Sequence, residues 1–131
     1  MTVGDLLRGA WAALRVPRWL DADRLPLLLA IPELPDVRSV TEPSAETIRA
    51  ARGILRRLER LPGGRWRGTC LYRSAAEVLL RRAAGQPARL QLGVHSAGEE
   101  VGAHAWVECD GRPVGPDAAE ADRYTALRPQ G

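Results

Sequence analysis

The 131-residue chain predicts an α+β fold, and three observations carry that reading. Apolar residues recur at helical spacing in successive stretches up to Ala84. After Gly85-Gln86-Pro87 the period changes to two, over 88–94 and again over 101–109. Asp110-Gly111 then marks a two-residue hairpin turn. The expectation is a helical extension over 1–62 and, over 63–131, a core in which one helix packs on a small antiparallel sheet. At this length the two parts are expected to share one compact domain.

Each element has its own signal. Thr2 caps a first helix, with Asp5 three residues on completing a capping box. Val3, Leu6, Leu7, Ala10, Trp11 and Leu14 form a stripe read as core-facing, with a partner surface as the alternative, and Pro17 stops the pattern. A second short helix is expected within Trp19–Ile31, and Pro32, Pro35 and Pro43 mark a loop. Ser44 to Leu61 reads as a strong helix. Its stripe is Ile48, Ala51, Leu55, Leu58 and Leu61, and Arg49, Arg52, Arg56, Arg57 and Arg60 lie mostly opposite. That arginine run is read as a solvated face, the alternative being an acidic peptide or protein partner. Pro62-Gly63-Gly64 ends the helix.

A further helix is expected from Cys70 to Ala84, with Tyr72, Ala75, Ala76, Leu79, Leu80 and Ala83 inward and Glu77–Arg81 as a surface pair. Gly85 stops it and Pro87 prevents resumption. Ala88, Leu90, Leu92 and Val94 alternate as a half-buried strand, His95 to Glu100 reads as a polar turn, and Val101 to Cys109 is the next strand.

Composition excludes several function classes. All 19 basic residues are arginine, and a net charge of +3 permits an acidic or peptide partner without demanding nucleic acid. No zinc finger, phosphate loop or aromatic-basic RNA motif occurs, so no nucleic-acid partner is expected. Two cysteines are too few for a disulfide framework, and nothing resembles a cleavable signal peptide. The longest apolar run, Leu25 to Ile31, is far short of the roughly 20 residues that span a bilayer. A cytoplasmic, reduced protein without stable membrane insertion is therefore expected.

The chemistry centres on Gly68-Thr69-Cys70-Leu71-Tyr72-Arg73-Ser74. Cys70 falls at a helix start, where unpaired N–H groups and a partial positive charge suit a nucleophilic sulfur. A base is supplied by the hairpin. If Asp110-Gly111 turn the chain, paired residues sum to 221, and the partner of His104 is 221 − 104 = 117, Asp117. Opposed side chains share a face, so sheet geometry would place an imidazole beside a carboxylate. Pro113, Gly115 and Pro116 weaken that ladder, and a shift of one would bring Glu108 or Asp110 into contention. Cys70, His104 and Asp117 are thus the candidate catalytic residues: nucleophile, base and orienting acid. The Cys70 backbone N–H is a candidate oxyanion donor, and Trp66 is considered for the second. His95 reads as a surface residue and Cys109 as core, facing away from His104. A zinc site lacks ligands on matching faces, so no metal or other cofactor is expected.

These residues resemble a known family. Thr69-Cys70-Leu71-Tyr72-Arg73-Ser74, then Gly85 to Leu90 with Leu92-Gly93-Val94, then Ala103-His104-Ala105-Trp106-Val107-Glu108 with Gly111-Arg112-Pro113-Val114, look like the transglutaminase-like superfamily. More narrowly they resemble the stand-alone leader peptidases of lasso peptide biosynthesis, over about residues 65 to 127. The resemblance implies a papain-like α+β core, with Cys70 and His104 matching nucleophile and base. Asp117 is the closest match to the third residue, one position beyond where Gly115-Pro116 occupies its place. It also implies a cysteine peptidase that removes the leader from a precursor peptide. Its partners would be that peptide, a separate leader-recognition protein and an ATP-dependent macrolactam synthetase, and it would need no metal or nucleotide. The alternatives are another acyl-transfer enzyme of the superfamily and a catalytically silent binding module.

Overall fold

A computed structural model describes residues 1–32, 43–67, 69–97 and 100–127. Pro35 of the expected loop and Gly68 of the cysteine motif lie outside the described residues. Among these residues four α-helices precede an antiparallel four-stranded sheet: α1 (Val3–Trp19), α2 (Leu25–Leu29), α3 (Ala45–Leu58) and α4 (Cys70–Ala83), then β1 (Ala88–Ala97), β2 (Glu100–Cys109), β3 (Arg112–Val114) and β4 (Thr125–Ala126). A 3₁₀ turn, Ala118–Arg123, joins the last two strands, and the sheet order is β3-β2-β1-β4. The α+β expectation holds. No described helix is long and apolar enough to cross a membrane.

Helix α1 begins as its sequence dictates. Thr2 Oγ1 accepts from the Asp5 N–H at 3.1 Å, and the Asp5 carboxylate accepts from the Thr2 N–H at 2.9 Å. Asp5 also accepts from the Thr47 hydroxyl at 3.0 Å and the Ser44 hydroxyl at 3.2 Å, which ties α1 to the start of α3. The Thr2 N–H first, and then the hydroxyls, hold the Asp5 carboxyl well below the usual carboxylate range.

Two expectations for α1 are corrected. Pro17 does not stop the helix, which continues to Trp19. Proline cannot donate to the carbonyl four residues back, and here that carbonyl, Ala13 O, accepts from the Trp66 indole N–H at 3.0 Å. The tertiary structure thus supplies the bond that the proline removes.

The stripe of large apolar residues does not face the core either. Val3, Leu6, Leu7, Trp11 and Leu14 are exposed, whereas Gly9, Ala12, Ala13 and Val16 are buried. Small residues win because α1 lies against α3 with almost no gap. A Cβ on Gly9 would stand 2.7 Å from the Ala51 backbone nitrogen and 2.9 Å from the Ala50 Cβ. Gly9→Val should therefore force the helices apart at a cost of about 3 kcal/mol, near the upper end for overpacking. Urea denaturation measures this directly, and an unchanged midpoint would contradict the packing.

Helix α3 follows its predicted pattern. Ser44 caps it through the Thr47 N–H at 3.1 Å, and Ile48, Ala51 and Leu55 are buried. Leu61 lies beyond the helix and is exposed. Helix α4 is the centre of the molecule, packed by α1 and α3 and by the sheet. Ser74 through Arg81 are all buried, while Ala83, expected inward, is exposed. Glu77 and Arg81 are consequently a buried ion pair at 2.8 Å and not a surface one. Both flanks of α4 are covered, which periodicity along one helix cannot reveal. Its end is a Schellman stop, with Gln86 N–H donating to Arg81 O and Gly85 N–H to Arg82 O around Gly85 at φ 89°.

The strand β1 runs through His95 to Ala97, replacing the expected polar turn, and pairs with β2 from Ala88↔Cys109 to Ala97↔Glu100. Residues 98 and 99, between the two strands, lie outside the described residues. Ala88, Leu90, Ala105 and Val107 face the helices and join the core. Cys109 packs at its margin and its thiol lies 3.6 Å from Gln86 Oε1, in line with the reading of it as core.

Candidate active site

Cys70 is the first residue of α4, half-buried, following Thr69 in extended conformation. The helix start is anchored one turn later. Ser74, four residues on and therefore on the same face, donates its hydroxyl to Ala105 O at 3.1 Å. Ala105 adjoins His104, so α4 is pinned to β2 at the peptide next to the imidazole. The Cys70 side chain packs against the hydrophobic core, whereas His104 belongs by strand alternation to the other face of β2.

His104 is buried, with 7 % of its surface exposed. Its Nε2 has no hydrogen-bond partner among the described residues, the Cys70 thiol included. An orphaned buried polar atom costs about 1–3 kcal/mol, so its retention calls for a reason. The ring is held in an aromatic cluster, with its centroid 5.0 Å from that of Tyr124 and 5.9 Å from that of Trp106. His95, expected at the surface, is half-buried, with its ring centroid 4.9 Å from that of Tyr124.

Trp106 and Glu108 explain why the His-Ala-Trp-Val-Glu run has its composition. The Trp106 indole donates to Glu108 Oε2 at 3.3 Å, and Arg89 bonds the other carboxylate oxygen at 3.0 Å. Gly93, the residue paired with His104, leaves the space that the Trp106 ring fills, since a Cβ there would come within 2.5 Å of the ring. Glu108 therefore fixes the tryptophan that packs against the imidazole.

The register read from the hairpin is correct where the ladder exists: Cys109↔Arg112, Glu108↔Pro113 and Val107↔Val114 each sum to 221. The extrapolation to His104↔Asp117 fails, because β3 ends at Val114. Gly115 turns the chain away at φ 83°, and Pro116 has no N–H to continue a ladder. Asp117 precedes the 3₁₀ turn and stands 3.7 Å from Arg52 and 3.8 Å from Arg73. Glu120, on that turn, brings a carboxylate oxygen 3.9 Å from His104 Nε2. Sequence reading missed Glu120, and the only available signal was its position three residues after Asp117. The Trp66 indole is committed to Ala13, which removes it as an oxyanion donor. Among the described residues no group of three His, Cys, Asp or Glu side chains could hold a metal ion.

A buried central helix packed on an antiparallel sheet makes this an α+β domain, with a cysteine opening the helix and a histidine on the sheet. The family model described as the transglutaminase-like superfamily matches residues 10–128, and the chain belongs to that superfamily. The match starts inside α1, so it takes in the helical extension as well as the sheet. No curated protein and no solved structure matches the chain. A fold of this superfamily suits a cysteine peptidase or an acyl-transfer enzyme.

Proposed function

We propose that the chain is a cysteine peptidase that cuts a lasso precursor between leader and core, working with a separate leader-recognition protein and ahead of an ATP-dependent macrolactam synthetase. The observation that carries the reading is the buried His104 imidazole with an unpartnered Nε2, beside the strand peptide to which the Cys70 helix is pinned. His104 takes the Cys70 proton, the sulfur attacks the scissile carbonyl, and the protonated imidazole returns the proton to the leaving amine. Water then hydrolyses the thioester with His104 as base. Thiol and imidazole are not hydrogen-bonded to each other among the described residues, and the proposal requires the two side chains to meet when substrate binds. The narrower reading also rests on the quoted motifs, which resemble leader peptidases of this kind. It places the protein in the cytoplasm with those partners.

The direct test is to incubate the purified protein with precursor and recognition protein and follow leader release by mass spectrometry. Release of the free core peptide is the expected result, and its absence with both partners present would sink the proposal.

The third catalytic position is proposed for Asp117, through a change of the 115–120 segment that turns its carboxylate from Arg52 and Arg73 to the imidazole. The 3.9 Å contact favours Glu120 as the competing assignment. Asp117→Asn and Glu120→Gln separate the two. Loss of the orienting acid should lower the rate by roughly 10³- to 10⁴-fold, and the other substitution should leave most of the activity. Leader release by each variant under identical conditions decides between them.

A further inference from the structure

Arg49, Arg56 and Arg57 of α3 are exposed, as expected of a solvated face, and part of that face is concave. Arg49, Arg52 and Arg56, at i, i+3 and i+7, line one wall of a cavity of about 560 Å³, and Arg73 and Arg81 of α4 line another. Apolar surface from Ile48, Ala45 and Pro116 completes it. Among the described residues Glu46 pairs with Arg49 at 2.8 Å, Asp117 stands near Arg52 and Arg73, and Glu77 pairs with Arg81. Arg52 stands 3.7 Å from Asp117, beyond hydrogen-bond length, and Arg56 has no ion pair among the described residues. Donor capacity on α3 therefore remains for an outside anion.

The geometry points to this cavity as a binding site for the carboxylate side chains of an acidic peptide segment. Guanidinium forks match carboxylates two bonds at a time. The apolar wall suits the aliphatic stems of glutamate or aspartate, which a bare inorganic anion would leave uncovered. Among the described residues no aromatic side chain lines the cavity, so they offer no stacking platform of the kind a single-stranded nucleic-acid site uses. Arg73 lies three residues beyond Cys70 on the same helix, so a peptide held here would pass the start of α4. The inference rests on the reading of the protein as acting on a peptide, and it names the chemistry of the segment recognised.

The test measures binding without turnover, using the full-length Cys70→Ala protein. The probe is a fluorescein-labelled peptide of repeated Glu-Ala, compared by anisotropy at low salt with its Gln-Ala isostere. The Glu-Ala peptide should bind about tenfold tighter or more, with an affinity that falls as salt screens the contact. Arg49→Glu combined with Arg56→Glu, both on exposed positions of α3, should remove about tenfold or more of that affinity while circular dichroism shows an unchanged fold. Equal binding of the two peptides, or full binding by the double variant, would overturn the inference. Saturable binding of citrate without binding of the Glu-Ala peptide would overturn it in favour of a small free anion. A protein that binds the probe through Arg49 and Arg56 yet fails to release a leader would retain this site and lose the peptidase reading.

Discussion

Replacing Cys70 by alanine is expected to abolish leader release, lowering the rate by roughly 10⁴-fold or more. The size follows from the chemistry. Without sulfur there is no thioester, and water must attack the amide with only the residual positioning of the site. Removing the base, as in His104→Ala, should cost a comparable factor, because members of such a unit fail together and not additively. The chain carries its own control. Cys109 sits beside Gln86, beyond the C-terminal end of the helix that Cys70 opens, and Cys109→Ala should keep full activity. Leader release quantified for the two cysteine variants side by side separates a catalytic thiol from a general dependence on thiols. Full cleavage by the Cys70 variant would remove the nucleophile from the proposal.

Arg81→Leu should be the most damaging substitution for stability, costing about 3–5 kcal/mol. The partner left behind is Glu77, buried with 4 % of its side chain exposed and bonded to Arg81 at 2.8 Å. Burial pushes the Glu77 carboxyl above its ordinary value, and the hydrogen bond and charge of Arg81 offset part of that rise. A raised native pKa means that the folded state binds its proton more readily than the unfolded chain does. The cost of holding Glu77 ionised is therefore fully present above its folded pKa, and it fades as pH falls through that value toward the unfolded one. Arg81→Leu raises the folded value further and widens this window. The deficit of the variant should thus be largest at neutral pH and shrink in mild acid. Asp5 works in the opposite sense. Its lowered carboxyl stabilises the fold at neutral pH, and that contribution goes as pH falls below the ordinary aspartate range toward the folded value. Urea titrations from neutral pH down to below the ordinary aspartate range would show the two opposed trends. Adding Glu77→Gln to Arg81→Leu should recover part of the loss, since it replaces an unpaired charge by a neutral amide.

Much of this molecule can be read from short-range chemistry. The Thr2–Asp5 capping box, the Ser44 cap, the Gly85 stop and the hairpin register need only neighbouring residues, because each involves backbone groups a few positions apart. The cysteine at a helix start and the histidine on a strand are legible for the same reason. Their arrangement in space is not, because parity along a strand and periodicity along a helix do not say what the next layer covers.

By itself, then, the sequence determined the α+β class, the stops and caps of the helices, and the residues able to supply a thiol, an imidazole and nearby carboxylates. Tertiary structure decided the rest. Close approach of α1 and α3 buried Gly9 and the alanines and left the larger apolar side chains of α1 outside. The Trp66 indole let α1 run through Pro17. Covering α4 on both flanks turned a surface pair into a buried one, and Gly115 sent Asp117 to two arginines and left Glu120 nearest the imidazole. In each case the deciding contact joins residues far apart in the chain, whose cost or gain exists only once two layers meet.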